Sequence, residues 1–311
     1  DLKAKALKLE KLRRYDLDGP RGAEGQVVDF DGGGRQVLAA FAAFSPRFKE
    51  LAANIVNGRR FSARPQAGKQ GGAFCYSMLP ADVPWVLMTY NGRRQDLFTM
   101  AHELGPGIHS QLAAGHNVFN FHATLPLAET ASTFGEMLLA DRLMKKAASP
   151  RQRADMLFHL LDDAYATVGR QAFFAMFEIE AHEMIEKGAT VDELAEAYMN
   201  NLRRQFGGGV ELGEEFRWEW VSIPHIFHTP FYVYAYSFGQ LLVYSLWQQY
   251  KNEGRSFVPR LIKLLARGGP APPEQIVAES GLGPLVKTFW QGGFNLVGEM
   301  LADLKASLEE A

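Results

Sequence analysis

A single cysteine, Cys75, stands in a chain of 311 residues, so no disulfide can form within it and the fold must rest on a packed core. No apolar run approaches the ~20 residues that a bilayer span requires. No charge of one sign dominates either. Thirty-three Lys and Arg face 35 Asp and Glu, a net of −2, so bulk electrostatics attract neither nucleic acid nor an anionic membrane. Internal repeats, low-complexity tracts and long linkers are missing. The two glycine clusters, "DGGGR" and "FGGGV", lack the Lys-Ser/Thr of a phosphate loop and the G-x-G-x-x-G spacing, and they read as ordinary turns. The first residues, "DLKAKALKLEKLRRYDL", are charged throughout and read as an amphipathic helix, not a signal peptide. Together with the lone cysteine this places the protein in the cytoplasm.

What is present is mostly helical periodicity. A polar, Gly-rich stretch from about Asp18 to Gly34 follows the first helix. "RQVLAAFAAFSPRFKELAANIV" then spaces Val37, Phe41, Phe44 and Phe48 as one buried stripe. Residues 57–72 read as a basic loop. "AFCYSML" and "WVLMTY" read as two strands joined by "PADVP", and Asn91-Gly92 marks a turn after them. "WVLMTYNG" reads either as an edge strand able to pair with an extended peptide or as a buried strand without a free edge. Asp96 suits the N-cap of the next helix. From Leu125 onward the pattern is helical almost to the end, with breaks at 148–150, 188, 207–209, 223–230 and 267–273.

One absence sits inside a motif. "FTMAHELGPGIHS" (98–110) opens like the H-E-x-x-H helix of zinc peptidases, in which two histidines one turn apart reach one metal and the glutamate faces the bound water. Here His102 and Glu103 are in place, but the second histidine position holds Pro106. Proline donates nothing to a metal, lacks the backbone N–H and crowds the His102 carbonyl, at a cost of about 3 kcal/mol in a helix interior. Gly105 and Gly107 are expected to soften that strain. His109 is seven residues from His102 on nearly the same face, roughly 10 Å along the axis at 1.5 Å per residue, too far for one zinc on an intact helix. His116 and His122 lie in the following loop with no recommending spacing. A second pair, His182-Glu183, has no histidine four residues on and reads as a solvated helix face.

The context lifts His102-Glu103 above a chance pair. "LPLAETASTFGEM" supplies Glu129, 27 residues after His102, and zinc hydrolases of this type take two histidines from one helix and a glutamate from the next. Taken together, "FTMAHELGPGIHSQL", "FHATLPLAETASTFGEMLL", "PWVLMTYNG" and "WVSIPHIFHTPFYVYAYSFGQLL" strongly resemble oligoendopeptidase F, in the thimet-oligopeptidase family of zinc metallopeptidases. The resemblance runs over essentially the whole chain, in order and spacing. It implies a mainly α fold with a small β-sheet, a zincin-like helical catalytic domain lining a deep peptide channel, over residues 1–311 as one catalytic domain. It also implies a chain about half the family length, with the N-terminal half absent.

The resemblance further implies one zinc per chain, with His102 and Glu129 as metal ligands and Glu103 as the general base that takes a proton from the bound water. Glu136, seven residues after Glu129, reads either as a partner orienting the histidine ligand or as a solvated carboxylate. Tyr232 and Tyr236, four apart, are implied donors to the developing oxyanion, with His225 or His228 beside them. Thr229-Pro230 reads as the start of their helix. Short peptides are the implied substrates, with no nucleic acid or membrane partner, and self-association or a partner segment is expected. Activity of this copy is in question because Pro106 replaces a ligand, and a peptide-binding pseudopeptidase is the alternative.

Overall fold

The computed structural model describes residues 2–17, 19 and 27–311, and these are mainly helical with small sheets. They fall into two compact units. One takes the residues preceding Ala148 that follow the N-terminal segment, together with Leu241–Leu296; the other takes that N-terminal segment, Ala148–Gln240 and Val297–Ala311.

In the first unit, helices Phe30–Phe44 and Pro46–Asn57 are separated only by Ser45, whose hydroxyl accepts from the Arg47 N–H and caps the second helix. Val37, Phe41, Phe44 and Phe48 are all buried, as their spacing predicts. The glycines of "DGGGR" do not form the expected turn. They lie in the first turns of Phe30–Phe44, capped by the Asp29 carboxylate on the Gly32 N–H. Gly33 is there for closeness, since a Cβ would fall 2.4 Å from the Tyr90 hydroxyl oxygen.

Three short strands, Phe61–Ser62, Phe74–Tyr76 and Trp85–Leu87, form a sheet with the last in the middle, parallel to the first and antiparallel to the second. The strand at 61–62 lies in a segment whose sequence reads as loop. "WVLMTYNG" is thus central and not an edge; Phe74–Tyr76 is one of the two edges.

The His102 helix, Arg94–Leu112, runs on from this sheet. Asp96 is not its N-cap. It sits at the third helical position and accepts from the Arg93 and Asn91 N–H groups at 3.0 and 2.7 Å. Pro106 lies inside the helix without ending it. The flanking glycines serve packing. A Cβ on Gly105 would lie 2.4 Å from the Ser132 backbone, and one on Gly107 would lie 2.3 Å from the Ile55 Cδ1. Gly135 returns the contact, its Cβ position 3.0 Å from the Ala101 carbonyl. Small residues therefore let the His102 helix and the helix Thr130–Lys146 approach at backbone distance.

In the second unit the expected N-terminal helix is broken. Leu2–Ala6 is α-helical and Arg14–Asp16 a single 3-10 turn; between them Lys8 takes a positive φ of 58°, and Leu12–Arg13 pair in parallel with Val210–Glu211. Buried charges explain the break. Lys3 reaches Asp162 at 2.8 Å and buried Arg14 pairs with Glu219, and each cation needs its own partner on a different element. "FGGGV" forms the expected turn, with Gly207 ending helix Val191–Phe206 at φ 53°.

Gly105→Ala is expected to destabilise the fold by about 2–3 kcal/mol, because the added methyl collides with backbone that cannot rotate away. Gly208→Ala, with nothing within 4 Å of its Cβ position, should change stability by no more than about 0.5 kcal/mol in the same urea titration.

Candidate active site

Between Leu97 and Ser110 of the His102 helix the partly exposed positions are Thr99, His102, Pro106 and Ser110, and the other residues are buried. That spacing is one helical face. Pro106 therefore presents its ring on the same open stripe as the His102 imidazole. A histidine at 106 would point there; the pyrrolidine fills the place with carbon.

The neighbouring helix brings two carboxylates to His102. Glu129 ends the short helix Leu125–Ala128 and precedes Thr130–Lys146, with its Oε2 3.2 Å from His102 Nε2. Glu136 lies two turns further, its Oε1 2.6 Å from His102 Nδ1. Both ring nitrogens are thus engaged. Burial opposes the charged imidazole, but the hydrogen bonds with Glu129 and Glu136 outweigh it and push His102 up to about 11. The same contact holds Glu129 below the usual carboxylate range, against its own burial. Glu103 goes the other way. It is buried, burial raises it above the ordinary value, and the nearby His102 charge and the Cys75 backbone N–H only partly offset this. A carboxyl raised toward neutrality beside a partly exposed histidine is suited to accepting and releasing a proton.

A zinc ion with bonds of about 2.0–2.2 Å and tetrahedral angles holds neighbouring donor atoms about 3.3 Å apart. The His102 Nε2 to Glu129 Oε2 separation of 3.2 Å is such an edge. The Glu136–Nδ1 contact is the kind that orients an imidazole ligand. Pro106, on the same face, offers no donor atom. Among the described residues no group of three His, Cys, Asp or Glu side chains is arranged to hold a metal ion. His102 and Glu129 have the spacing of one tetrahedral edge, and among the described residues no third donor completes a three-ligand set.

His109 does not supply the missing corner. It is buried along the edge of that stripe, where burial pushes it down to about 4, with the Ala128 backbone and the Glu129 charge acting the other way. It is neutral in the folded protein at ordinary pH, while the unfolded chain protonates near the ordinary value of 6.5. Stability tied to His109 is therefore full above about pH 6.5 and is lost as pH falls toward 4. On going from pH 7 to pH 4.5 the loss should be about 2 kcal/mol. Urea titrations of the chain and of His109→Gln at both pH values would check this; the variant should lose less of its stability.

The other candidates lie in the second unit, where His225 and His228 belong to the short helix Pro224–His228. Thr229 ends that helix instead of starting the next, which runs from Tyr234 to Glu253. The Tyr232 ring stacks on the His225 ring at 5.6 Å and 8°, and the Tyr236 hydroxyl meets His225 Nε2 at 3.1 Å. The structure thus joins His225, Tyr232 and Tyr236 into one cluster, while His228 is exposed at the helix end. Glu178, which the sequence reading passes over, is fully buried beneath this segment. The signal for it was available. On helix Arg170–Glu186 it shares the buried stripe with Phe174, Phe177 and Ala181, a carboxylate at an apolar position.

Comparison with known proteins follows this geometry. The chain is 28% identical over 285 residues to oligopeptidase PepF of Bacillus subtilis, covering 90% of this chain and 42% of that protein. It is 29% identical over 312 residues to an oligoendopeptidase F homolog of Borreliella burgdorferi, covering 98% and 52%. The solved oligoendopeptidase-F of Enterococcus faecium shares the fold, with a TM-score of 0.73 at 24% identity, over 100% of this chain and 49% of that one. The chain spans about half the length of the relatives it matches. Among the described residues no helix is long and apolar enough to cross a membrane. Residues 44–296, which include the His102 helix, both carboxylates and the His225 cluster, match Peptidase family M3, and the chain belongs to that family.

Proposed function

We propose that this chain binds short, unstructured peptides in the manner of an oligopeptidase and that its own hydrolytic activity is feeble or absent. The observation that carries the reading is Pro106 on the open face beside His102. The relatives are named oligopeptidases and oligoendopeptidases, and the fold and the ordered motif blocks are those of the family, which supports a peptide as ligand. In this reading Glu103 is the proton-handling carboxylate, His102 and Glu129 are the remaining metal donors, and Glu136 orients His102. His225, Tyr232 and Tyr236 are polar contacts for the peptide backbone. Zinc is the metal that an imidazole and a carboxylate at this spacing suit, and a site reduced to two protein donors should hold it weakly. The proposed location is the cytoplasm, where the lone Cys75 stays reduced.

A second reading is residual metal-dependent peptide cleavage, favoured by the zinc-like spacing of His102 and Glu129. Self-association also belongs to the proposal. Phe74, Tyr76, Met78, Leu79 and Trp85 are exposed together on and beside the sheet, and contiguous apolar surface of this kind favours association.

After desalting, the chain should retain well under one zinc, and Pro106→His close to one. Pro106→Ala separates the two consequences of the proline. It should raise stability by up to about 3 kcal/mol by restoring the helix N–H, yet leave zinc content low. A fluorogenic peptide assay with and without chelator decides between the readings. Little or no cleavage by the chain beside measurable peptide binding supports the first. Robust, chelator-sensitive cleavage overturns it in favour of the second.

A further inference from the structure

Glu178 is a carboxylate where packing alone calls for a hydrocarbon. It is fully buried among Phe174, Phe177 and Ala181. Its Oε1 accepts from the Phe231 backbone N–H at 2.7 Å, and among the described residues no hydrogen bond reaches its Oε2. A buried polar group left half-satisfied destabilises relative to an apolar residue of similar volume. Stability therefore does not account for a carboxylate here.

Phe231 does. Its φ is 60°, in the left-handed region that bulky L-residues enter only under strain. Core packing does not force it there, because the residue is 45% exposed and its ring only rests against His182. What is held is the N–H. The chain reverses in the turn Thr229–Tyr232, closed by the Tyr232 N–H on the Thr229 carbonyl at 3.2 Å with Phe231 at its third position, between the end of Pro224–His228 and the fully buried Val233. That reversal lays Tyr232 flat on His225 and sets Tyr236 edge-on to both, at 5.7 Å from His225 and 5.2 Å from Tyr232. One turn later Ser237 Oγ bonds the Thr167 and Val168 carbonyls in the π-helical turn Tyr165–Gly169. The Tyr236 end is thus anchored independently, and the turn at Phe231 is what the carboxylate controls.

We infer that Glu178 is a positioning residue: its buried carboxylate holds Phe231 in the left-handed conformation and so fixes Tyr232 and Tyr236 against the His225 imidazole. The meaning of this for peptides rests on the function proposed above; the geometry is tested without it. The experiment follows the His225 side-chain resonances in the ¹⁵N-histidine-labelled chain, assigned by His225→Gln. Tyr236→Phe should displace them by removing the hydroxyl contact. Glu178→Leu, which keeps the volume but cannot accept a hydrogen bond, should displace them comparably although it touches neither ring. Glu178→Gln, whose amide oxygen still accepts from Phe231, should leave them near the native positions. Adding Phe231→Gly to Glu178→Leu should restore them, because glycine takes the positive φ without a partner.

Unchanged His225 resonances in Glu178→Leu overturn the inference. If that variant does not fold, the double variant decides: a native His225 signature supports the inference and a displaced or unfolded one overturns it. An inactive Pro106→His chain counts against the proposed function and leaves the resonance result standing.

Discussion

Backbone contact between two helices, at Gly105 against Ser132 and Gly135 against Ala101, is the constraint on which the candidate site depends. Side chains of ordinary size would hold the helices apart by a further layer of atoms. At glycine distance, His102 on one helix meets Glu129 and Glu136 from the other, at both nitrogens of its ring. Gly107 against Ile55 and Gly33 against Tyr90 extend the same device to the neighbouring elements. Glycine costs a helix stability in isolation, so its presence at these faces marks where closeness matters more than propensity.

That closeness creates an electrostatic problem. Glu103, Glu129 and Glu136 gather around one partly buried histidine, and carboxylates at such separations disfavour one another's charge. The imidazolium answers it, ion-paired on both sides, while Glu103 is left with its ionisation disfavoured. Pro106 adds an apolar ring on the same face. Among the described residues the site gathers three carboxylates around one histidine and holds no three-donor metal set.

The second unit solves a different problem by strain. A short helix and a long one meet through the five residues Thr229 to Val233, so that two tyrosines fold back on a histidine. A bulky residue in a left-handed conformation makes the turn, a buried carboxylate holds it, and a serine fastens the following helix to a π-helical turn. Offset of the carbonyls in such a turn leaves them free to accept from outside the helix.

The motif was legible without coordinates because it lies in local spacing. His102, Glu103 and the fault at Pro106 fall within one helical turn. Val37, Phe41, Phe44 and Phe48 announced their face by period, and the antiparallel pair 74–76 and 85–87 announced itself by β-rich runs between turn residues. The N-terminal segment misled, because its helical period was overridden by two buried cations that had to find partners on different elements. Turn-like glycines at 32–34 became helix, since capping by Asp29 and contact with Tyr90 outweighed their poor propensity. The sequence by itself determined the residue types, their local spacing and the family. Only the tertiary structure decided that Glu136 reaches Nδ1, that His225 joins the tyrosines, and that Glu178 lies under Phe231. The first and last of these join residues 34 and 53 positions apart, and the second depends on a turn that folds a short connection back, so no one-dimensional pattern encodes the distances.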